Sequence, residues 1–187
     1  MHTKGVVKDL RPIKNGFHIA GRALTVKTMD GDWAKPVEAI DIAEKDQIIV
    51  IDVNQGKTAI WGELATHSAK KRGIQGVIID GAVRDLDDLL KLNLPIFSRH
   101  ITSNAGEPKG YGEIGSEITI GGQIVRNNDW IIADDSGIIV VPQENAQEIA
   151  NRALNVKEQE NRIREEIKKG ESLGKVLNLK KWEKKIG

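Results

Sequence analysis

The chain has no cysteine. Disulfides and thiolate metal sites are excluded, so any metal must be held by oxygen or histidine nitrogen. Aromatic side chains are scarce, 4% of the sequence, too few for a platform on which successive bases stack. Neither sign of charge dominates, with 28 Lys and Arg against 27 Asp and Glu. From Gln143 onward the chain carries +3 and the remainder −2. No part has the positive field of a nucleic-acid binder. Long apolar runs are missing as well. None approaches the roughly 18 residues that a membrane-spanning helix needs, and the opening "MHTKGVVKDLRPIKNG" lacks the apolar core of a signal peptide. The expectation is a cytoplasmic protein with no direct business at a membrane or a nucleic acid.

What is present suits one domain with an appended helix. Apolar, β-branched runs bounded by turn residues predict strands at Phe17–Met29, Gln47–Val53, Gln75–Ile79 and "LPIFSRHI". Between them short helices are expected at Pro36–Ala43, Gly62–Lys71 (with Gly73 as the stop) and Asp85–Leu92. "NQGKTAI" reads as a loop. After the glycine-rich stretch "GEPKGYGEIG" the pattern changes. "EITIGGQIVRNNDWIIADDSGIIVVP" alternates apolar and polar residues around Gly-Gly, Asn-Asn and Asp-Asp-Ser-Gly turns, which is antiparallel hairpin chemistry. A long charged helix follows, to about Lys169.

The expected fold class is α+β: a layered β/β/α sandwich over residues 1–142, with a helical extension over 143–187. Such layers accommodate a βαβα part and a hairpin part better than a doubly wound sheet does. The extension has a thin apolar stripe, Ile149, Ala153, Val156, Ile163 and Ile167. That stripe suits bracing a neighbouring subunit more than filling a core of its own.

The stretch "WGELATHSAKKRGIQGVIIDGAVRD", Trp61 to Asp85, carries the chemistry. Taken with the preceding strand it is one βαβ unit. Its helix returns about 15 Å and its second strand advances about 17 Å, so helix start and strand end share one sheet edge. Ligands bind beyond the carboxyl ends of strands in such sheets. Glu63 and the Arg84-Asp85 pair should therefore face a common cleft. There the first-turn amides of Leu64 and Ala65 suit a carboxylate, and Gly62 leaves the approach open. Arg84 offers a planar fork for a carboxylate or an enolate oxygen. Asp85 is a hard oxygen ligand of the kind Mg²⁺ takes with several waters. Glu63 could hold one of those waters or act as a base through it. On this reading the site takes a small 2-oxo acid. The plainer reading is that Glu63 favours the helix dipole, Asp85 caps the next helix, and Arg84 pairs with either.

An acidic residue, an interval of twenty, then Arg-Asp, in the setting "WGELATHSAKKRGIQGVIIDGAVRDLDDL", resembles the signature of the RraA-like family. That family holds the regulator of ribonuclease E activity A and the 4-hydroxy-4-methyl-2-oxoglutarate aldolases, which are class II, metal-dependent pyruvate aldolases. The resemblance runs from about Gly21 to Pro142 and, in weaker form, into the C-terminal helix. It implies a swivelling β/β/α fold, a homotrimer or hexamer, and a site between subunits. By residue match, Gly62, Glu63, Leu64 and Ala65 would contact substrate, Arg84 would bind its oxo or carboxylate group, and Asp85 would ligate the metal, Mg²⁺ or alternatively Mn²⁺. Glu63 would orient a water on that metal. A glutamate from a neighbour's C-terminal region, with Glu158 and Glu160 as candidates, would complete the site.

The implied reaction is a lyase cleavage of a 4-hydroxy-2-oxo acid to pyruvate through a metal-stabilised enolate, with oxaloacetate decarboxylation as its companion. The implied alternative is a protein that binds and inhibits an endoribonuclease. Family members also carry an N-terminal helix ahead of the point where this chain starts. The chain thus reads as a shortened form, or as a domain of the kind fused to hexulose-6-phosphate synthase.

Other residues have simpler accounts. His67 lies one turn beyond Glu63, as surface pairing at i, i+4 requires. His100 follows the third strand and is a candidate for lining the pocket. "GEPKGYG" lacks the Gly-Lys-Ser/Thr ending of a phosphate loop and reads as a mobile loop near the cleft. Asp134 and Asp135 read as a hairpin turn rather than as metal ligands. The tail "KKWEKKIG" reads as a solvated end.

Overall fold

Strands made of near-continuous apolar residues need cover on both faces, and two different layers supply it here. The computed structural model describes residues 5–179. The strands are β1 (Val6–Val7), β2 (Arg11–Pro12), β3 (Ile19–Lys27), β4 (Ile48–Asp52), β5 (Ala59–Trp61), β6 (Gly76–Val83), β7 (Ile96–Ile101), β8 (Glu113–Ile114), β9 (Ile118–Ile120), β10 (Gln123–Val125), β11 (Trp130–Asp134) and β12 (Gly137–Val141). The helices are α1 (Ala34–Ile42), α2 (Glu63–Lys71), α3 (Leu86–Leu92), α4 (Ala146–Lys168) and α5 (Leu173–Val176). The chain divides between Gln143 and Glu144 into two compact units.

In the first unit the strand order is β1-β12-β11-β3-β4-β6-β7-β2, with β5 beside β6 and β8 beside β3. The central run β3-β4-β6-β7 is parallel, whereas β11 and β12 are antiparallel. Every residue of β6 is buried. Alternate side chains explain how. Val77 and Ile79 point with Ile49 and Ile51 into a core closed by Ala39, Ile40, Ala69 and Leu89 of α1, α2 and α3. Ile78 points with Val50 and Phe97 the opposite way, against Ile118, Ile120 and Val125 of the β9–β10 hairpin and Ile131 and Ile138 of the antiparallel strands. This is the expected β/β/α sandwich.

The hairpin layer is also pinned by charge. Asp80, 4% exposed, pairs with Arg99 on β7 at 2.5 Å and accepts the Gly121 amide of the β9–β10 turn at 2.8 Å. The hydrogen bond to Asp80 raises the Arg99 pKa further above its usual value, against a smaller opposing effect of burial.

Local signals set the boundaries. α2 ends in a Schellman turn: Gly73 has φ of 75°, its amide donates to the Lys70 carbonyl, and the Ile74 amide reaches the Ala69 carbonyl. Two expectations need correcting. The "NQGKTAI" stretch is not all loop, because β5 takes its last two residues. It pairs with Ala82 and Val83 of β6, beyond the point where β4 ends opposite Asp80. Accordingly β6 runs four residues past Ile79, to Val83, since β5 supplies hydrogen bonds there that the local pattern does not reveal.

The second unit carries α4 and α5. No residue of α4 is buried, and its surface is laced with short-range ion pairs such as Arg152–Glu148 at 2.7 Å and Lys168–Glu165 at 2.8 Å. Ile149, Leu154, Val156 and Ile167 are exposed on it. The tail Lys180–Gly187 lies outside the described residues.

Candidate active site

The site forms where β5 hands over to α2 and β6 hands over to α3. The Arg84 amide donates to the Trp61 carbonyl at 3.0 Å, which ties the two strand ends together. Gly62 is the N-cap of α2, in extended conformation. Its lack of a side chain is a matter of space: a Cβ there would lie 2.5 Å from Asp85 Oδ2 and 3.1 Å from Arg84 Cγ. Beneath it, the Trp61 indole donates to Thr66 Oγ1 at 2.8 Å, and that hydroxyl donates to the Gly62 carbonyl at 2.8 Å. This buried relay fixes the helix start.

Asp85 is in the left-handed region, φ 59° and ψ 40°, a conformation that costs an L-residue roughly 1–2 kcal/mol. It occupies the N-cap position of α3, yet its side chain makes no cap hydrogen bond. Instead Oδ2 accepts the Glu63 amide at 3.1 Å and lies 3.7 Å from Arg84 Nε. The plain capping account of Asp85 therefore fails. Its carboxylate is aimed back toward α2.

The structure brings Gly62, Glu63, Arg84 and Asp85 to one edge. It is the Glu63 amide, however, that meets Asp85; the Glu63 carboxylate pairs with His67 Nε2 at 3.0 Å. The surface pairing expected of His67 is thus present. Asp85 and Glu63 side chains are each 31% exposed and Arg84 46%, so all three are accessible from solvent.

Beside them is a cavity of about 150 Å³. Gly62, Leu64, Ala65 and Arg84 line it together with Trp33, Val37, Ala59, Ile60, Trp61, Ala105 and Gly106. His100 is not among the lining residues; on β7 it stands opposite Ala82. The glycine-rich stretch does reach the cleft and is anchored there. Asp32, 1% exposed, accepts the amides of Lys109 at 2.9 Å and Tyr111 at 2.8 Å, and also that of Ala34 at 3.0 Å. Burial pushes the Asp32 pKa up, but these amides, with that of Gly110, outweigh it and leave the carboxyl below its usual value. The Trp33 indole adds a bond to the Gly106 carbonyl at 3.1 Å.

The Asp-Asp-Ser-Gly segment is a turn, as expected. Asp134 Oδ1 caps the Ser136 amide at 2.8 Å, and Asp135 accepts the Gly16 amide at 2.8 Å. Glu158 and Glu160 both lie exposed on α4, the latter 3.6 Å from Arg164.

A divalent cation fits this donor set on limited terms. Among the described residues no group of three or more His, Cys, Asp or Glu converges on one point, so no all-protein cage exists. Both contacts of Asp85 fall on Oδ2, which leaves Oδ1 for a cation. Mg²⁺ commonly binds through one or two carboxylates while keeping several waters, and Asp85 meets that minimum.

A family model described as RraA-like, Aldolase/RraA, matches residues 1–140. The chain belongs to that family. It is 40% identical over 176 residues to an uncharacterized protein of Methanocaldococcus jannaschii, covering 92% of this chain and 85% of that one. It is 33% identical over 149 residues to a Halalkalibacterium halodurans protein provisionally named 4-hydroxy-4-methyl-2-oxoglutarate aldolase, covering 79% and 71%. Among solved structures, an uncharacterized protein from Pseudomonas syringae pv. tomato superposes with a TM-score of 0.83 at 30% identity, covering 91% of this chain and 80% of that one. RraA-like membership and the β/β/α fold both agree with the sequence reading.

For this RraA-like chain, sequence reasoning missed Asp32, Trp33, Val37 and Ala105, and placed Gly106 only as part of a loop near the cleft. "MDGDW" says only that the chain turns. Nothing local joins it to Gly106, 73 positions on, or to Lys109, 77 positions on.

Proposed function

We propose that this protein is a divalent-metal-dependent lyase that cleaves short 2-oxo acids to pyruvate. The single observation that carries the reading is the aim of Asp85. A strained backbone turns its carboxylate away from the cap it would otherwise make and toward Glu63 and Arg84. Strain of this kind is kept where surrounding structure and function require it. The aldolase name of the Halalkalibacterium halodurans relative supports the same reaction class.

Asp85, with Mg²⁺ or Mn²⁺ as the cation, would hold the metal, which supplies Lewis acidity toward the 2-oxo acid. Arg84 binds the carboxylate or oxo group with a fork suited to planar anions. The free first-turn amides of Leu64 and Ala65 add fixed positive dipoles at the same place; the Glu63 amide is already engaged by Asp85. Glu63 takes the C4 hydroxyl proton, directly or through a water. The C3–C4 bond then breaks, C4 leaves as a carbonyl, and the electron pair passes to C3 as the pyruvate enolate. Positive charge from Arg84 opposes the charge that develops on its oxygen. Return of that proton from Glu63, directly or through the same water, to C3 gives pyruvate. Oxaloacetate yields the same enolate by loss of CO2.

The decisive assay is pyruvate release from oxaloacetate with and without Mg²⁺, for wild type and Asp85→Ala, corrected for the uncatalysed rate. The variant should lose about a hundredfold or more, equivalent to roughly 2.7 kcal/mol of transition-state stabilisation. Equal rates in the two proteins would remove the mechanism. A protein inactive on every 2-oxo acid that still captured an endoribonuclease, unaffected by Asp85→Ala and Arg84→Ala, would establish the inhibitor reading instead.

The exposed apolar stripe of α4 supports a further part of this proposal. The helix α4 braces a neighbouring subunit in a homotrimer or hexamer, in the cytoplasm, where Glu158 or Glu160 reaches the neighbour's site.

A further inference from the structure

The cavity and the carboxylate site meet at two residues but differ in chemistry. Asp85 and Glu63 are not part of the cavity wall, while Gly62 and Arg84 belong to both. Beyond those two, the lining is uncharged, with Trp33, Val37, Ile60, Trp61, Leu64 and Ala65 its larger members. Arg84 is the one charged side chain among the described lining residues. A 2-oxo acid whose head is held by Arg84 and the Leu64 and Ala65 amides keeps its C4 hydroxyl toward Glu63 and sends the remaining substituent of C4 toward this apolar cleft. A second carboxylate there would give up part of its hydration with no second cation on the lining to receive it, which is unfavourable. An alkyl or aryl group gains from the same burial. Size agrees, because about 150 Å³ is roughly the volume of an apolar cavity that admits benzene.

We infer that this cavity binds the uncharged, apolar distal group of the substrate. The preferred substrate is then a 4-hydroxy-2-oxo monocarboxylate, split into pyruvate and a short aliphatic or aromatic carbonyl compound. The inference rests on the lyase reading for its chemistry and on the cavity wall for its specificity. Oxaloacetate decarboxylation is compatible with it, since the C4 carboxylate departs as neutral CO2 and an apolar wall opposes the anion rather than the product.

The test is isothermal titration calorimetry on the full chain in MgCl2, with two probes of matched shape. These are 2-oxoglutarate and 5-methyl-2-oxohexanoate, in which two methyl groups replace the distal carboxylate oxygens. The monocarboxylate should bind tighter by about tenfold or more. Val37→Arg, at a rim position 38% exposed, should narrow or reverse that ratio. In parallel, pyruvate release is followed from 4-hydroxy-4-methyl-2-oxoglutarate and from its matched monocarboxylate, 4-hydroxy-4,5-dimethyl-2-oxohexanoate. Tighter binding of the monocarboxylate without turnover of any 2-oxo acid would retire the lyase reading and keep the cavity assignment. Equal or tighter binding of 2-oxoglutarate, or binding of neither probe, overturns the inference, even if the dicarboxylate is cleaved. A ratio unmoved by a folded Val37→Arg protein also counts against it.

Discussion

Asp85 Oδ2 accepts the main-chain amide of Glu63 at 3.1 Å, across a separation of 22 positions. One carboxylate thereby replaces the missing intrahelical partner at the start of α2 and is itself held against Gly62 and Arg84, two residues that line the cavity. The space for this approach exists because residue 62 is glycine.

Gly62→Ala should displace Asp85. The added methyl would sit 2.5 Å from Oδ2, and overpacking of this kind costs about 1–3 kcal/mol. Urea unfolding should register that loss, and oxaloacetate turnover should fall with it. A variant as stable and active as wild type would show that Asp85 is not held where the geometry has it.

Replacing Asp85 itself separates strain from chemistry. Asp85→Gly relieves the left-handed backbone, whereas Asp85→Ala keeps the strain and loses the hydrogen bond. Both should be inactive, but the glycine variant should be more stable than the alanine variant by about 1 kcal/mol. Thermal unfolding of the pair measures the difference, and equal stabilities would argue against backbone strain at this position.

Asp32 should matter to the loop more than to the core. Asp32→Asn keeps one acceptor oxygen of the two and should cost about 1–3 kcal/mol, with faster hydrogen exchange at Lys109 and Tyr111. Because the folded carboxyl titrates below its ordinary value, its contribution is complete above about pH 4. It is lost as pH falls through the lowered folded value. The stability gap between wild type and Asp32→Asn should therefore close in acid, which unfolding curves at stepped pH will read.

The Asp80–Arg99 pair is nearly buried, at 4% and 10% side-chain exposure. Arg99→Ala strands a carboxylate and should cost about 3–5 kcal/mol. Adding Asp80→Asn removes the stranded charge and should recover part of that loss. A double variant worse than the single one by the full cost of Asp80→Asn alone would mean that the two residues act independently.

Much of this protein is legible in its sequence. The run "GVII" within Gln75–Ile79 reads as a buried strand, because apolar β-branched side chains in succession leave no face for water, whereas its continuation through Asp80 to Val83 does not. Gly73 ends a helix and Asp-Asp-Ser-Gly makes a turn for reasons that lie within a few residues of each. A shared edge for Glu63, Arg84 and Asp85 was expected from element lengths, but with a strand of five residues where β6 has eight. The unforeseen β5, through the Arg84 amide on the Trp61 carbonyl, is what joins the two ends. Harder to see was which atoms would meet there. Asp85 at a helix start reads as a cap, and only the close packing of Gly62 against it decided that its side chain turns elsewhere.

Chain order and composition thus determined the layers, the turns and the edge that carries the charges, since these depend on interactions between near neighbours. Tertiary structure decided the cavity. Trp33 and Val37 share a cavity with Ala105 and Gly106, and the Trp33 indole and the buried Asp32 carboxylate hold the two segments together through backbone partners more than seventy residues away.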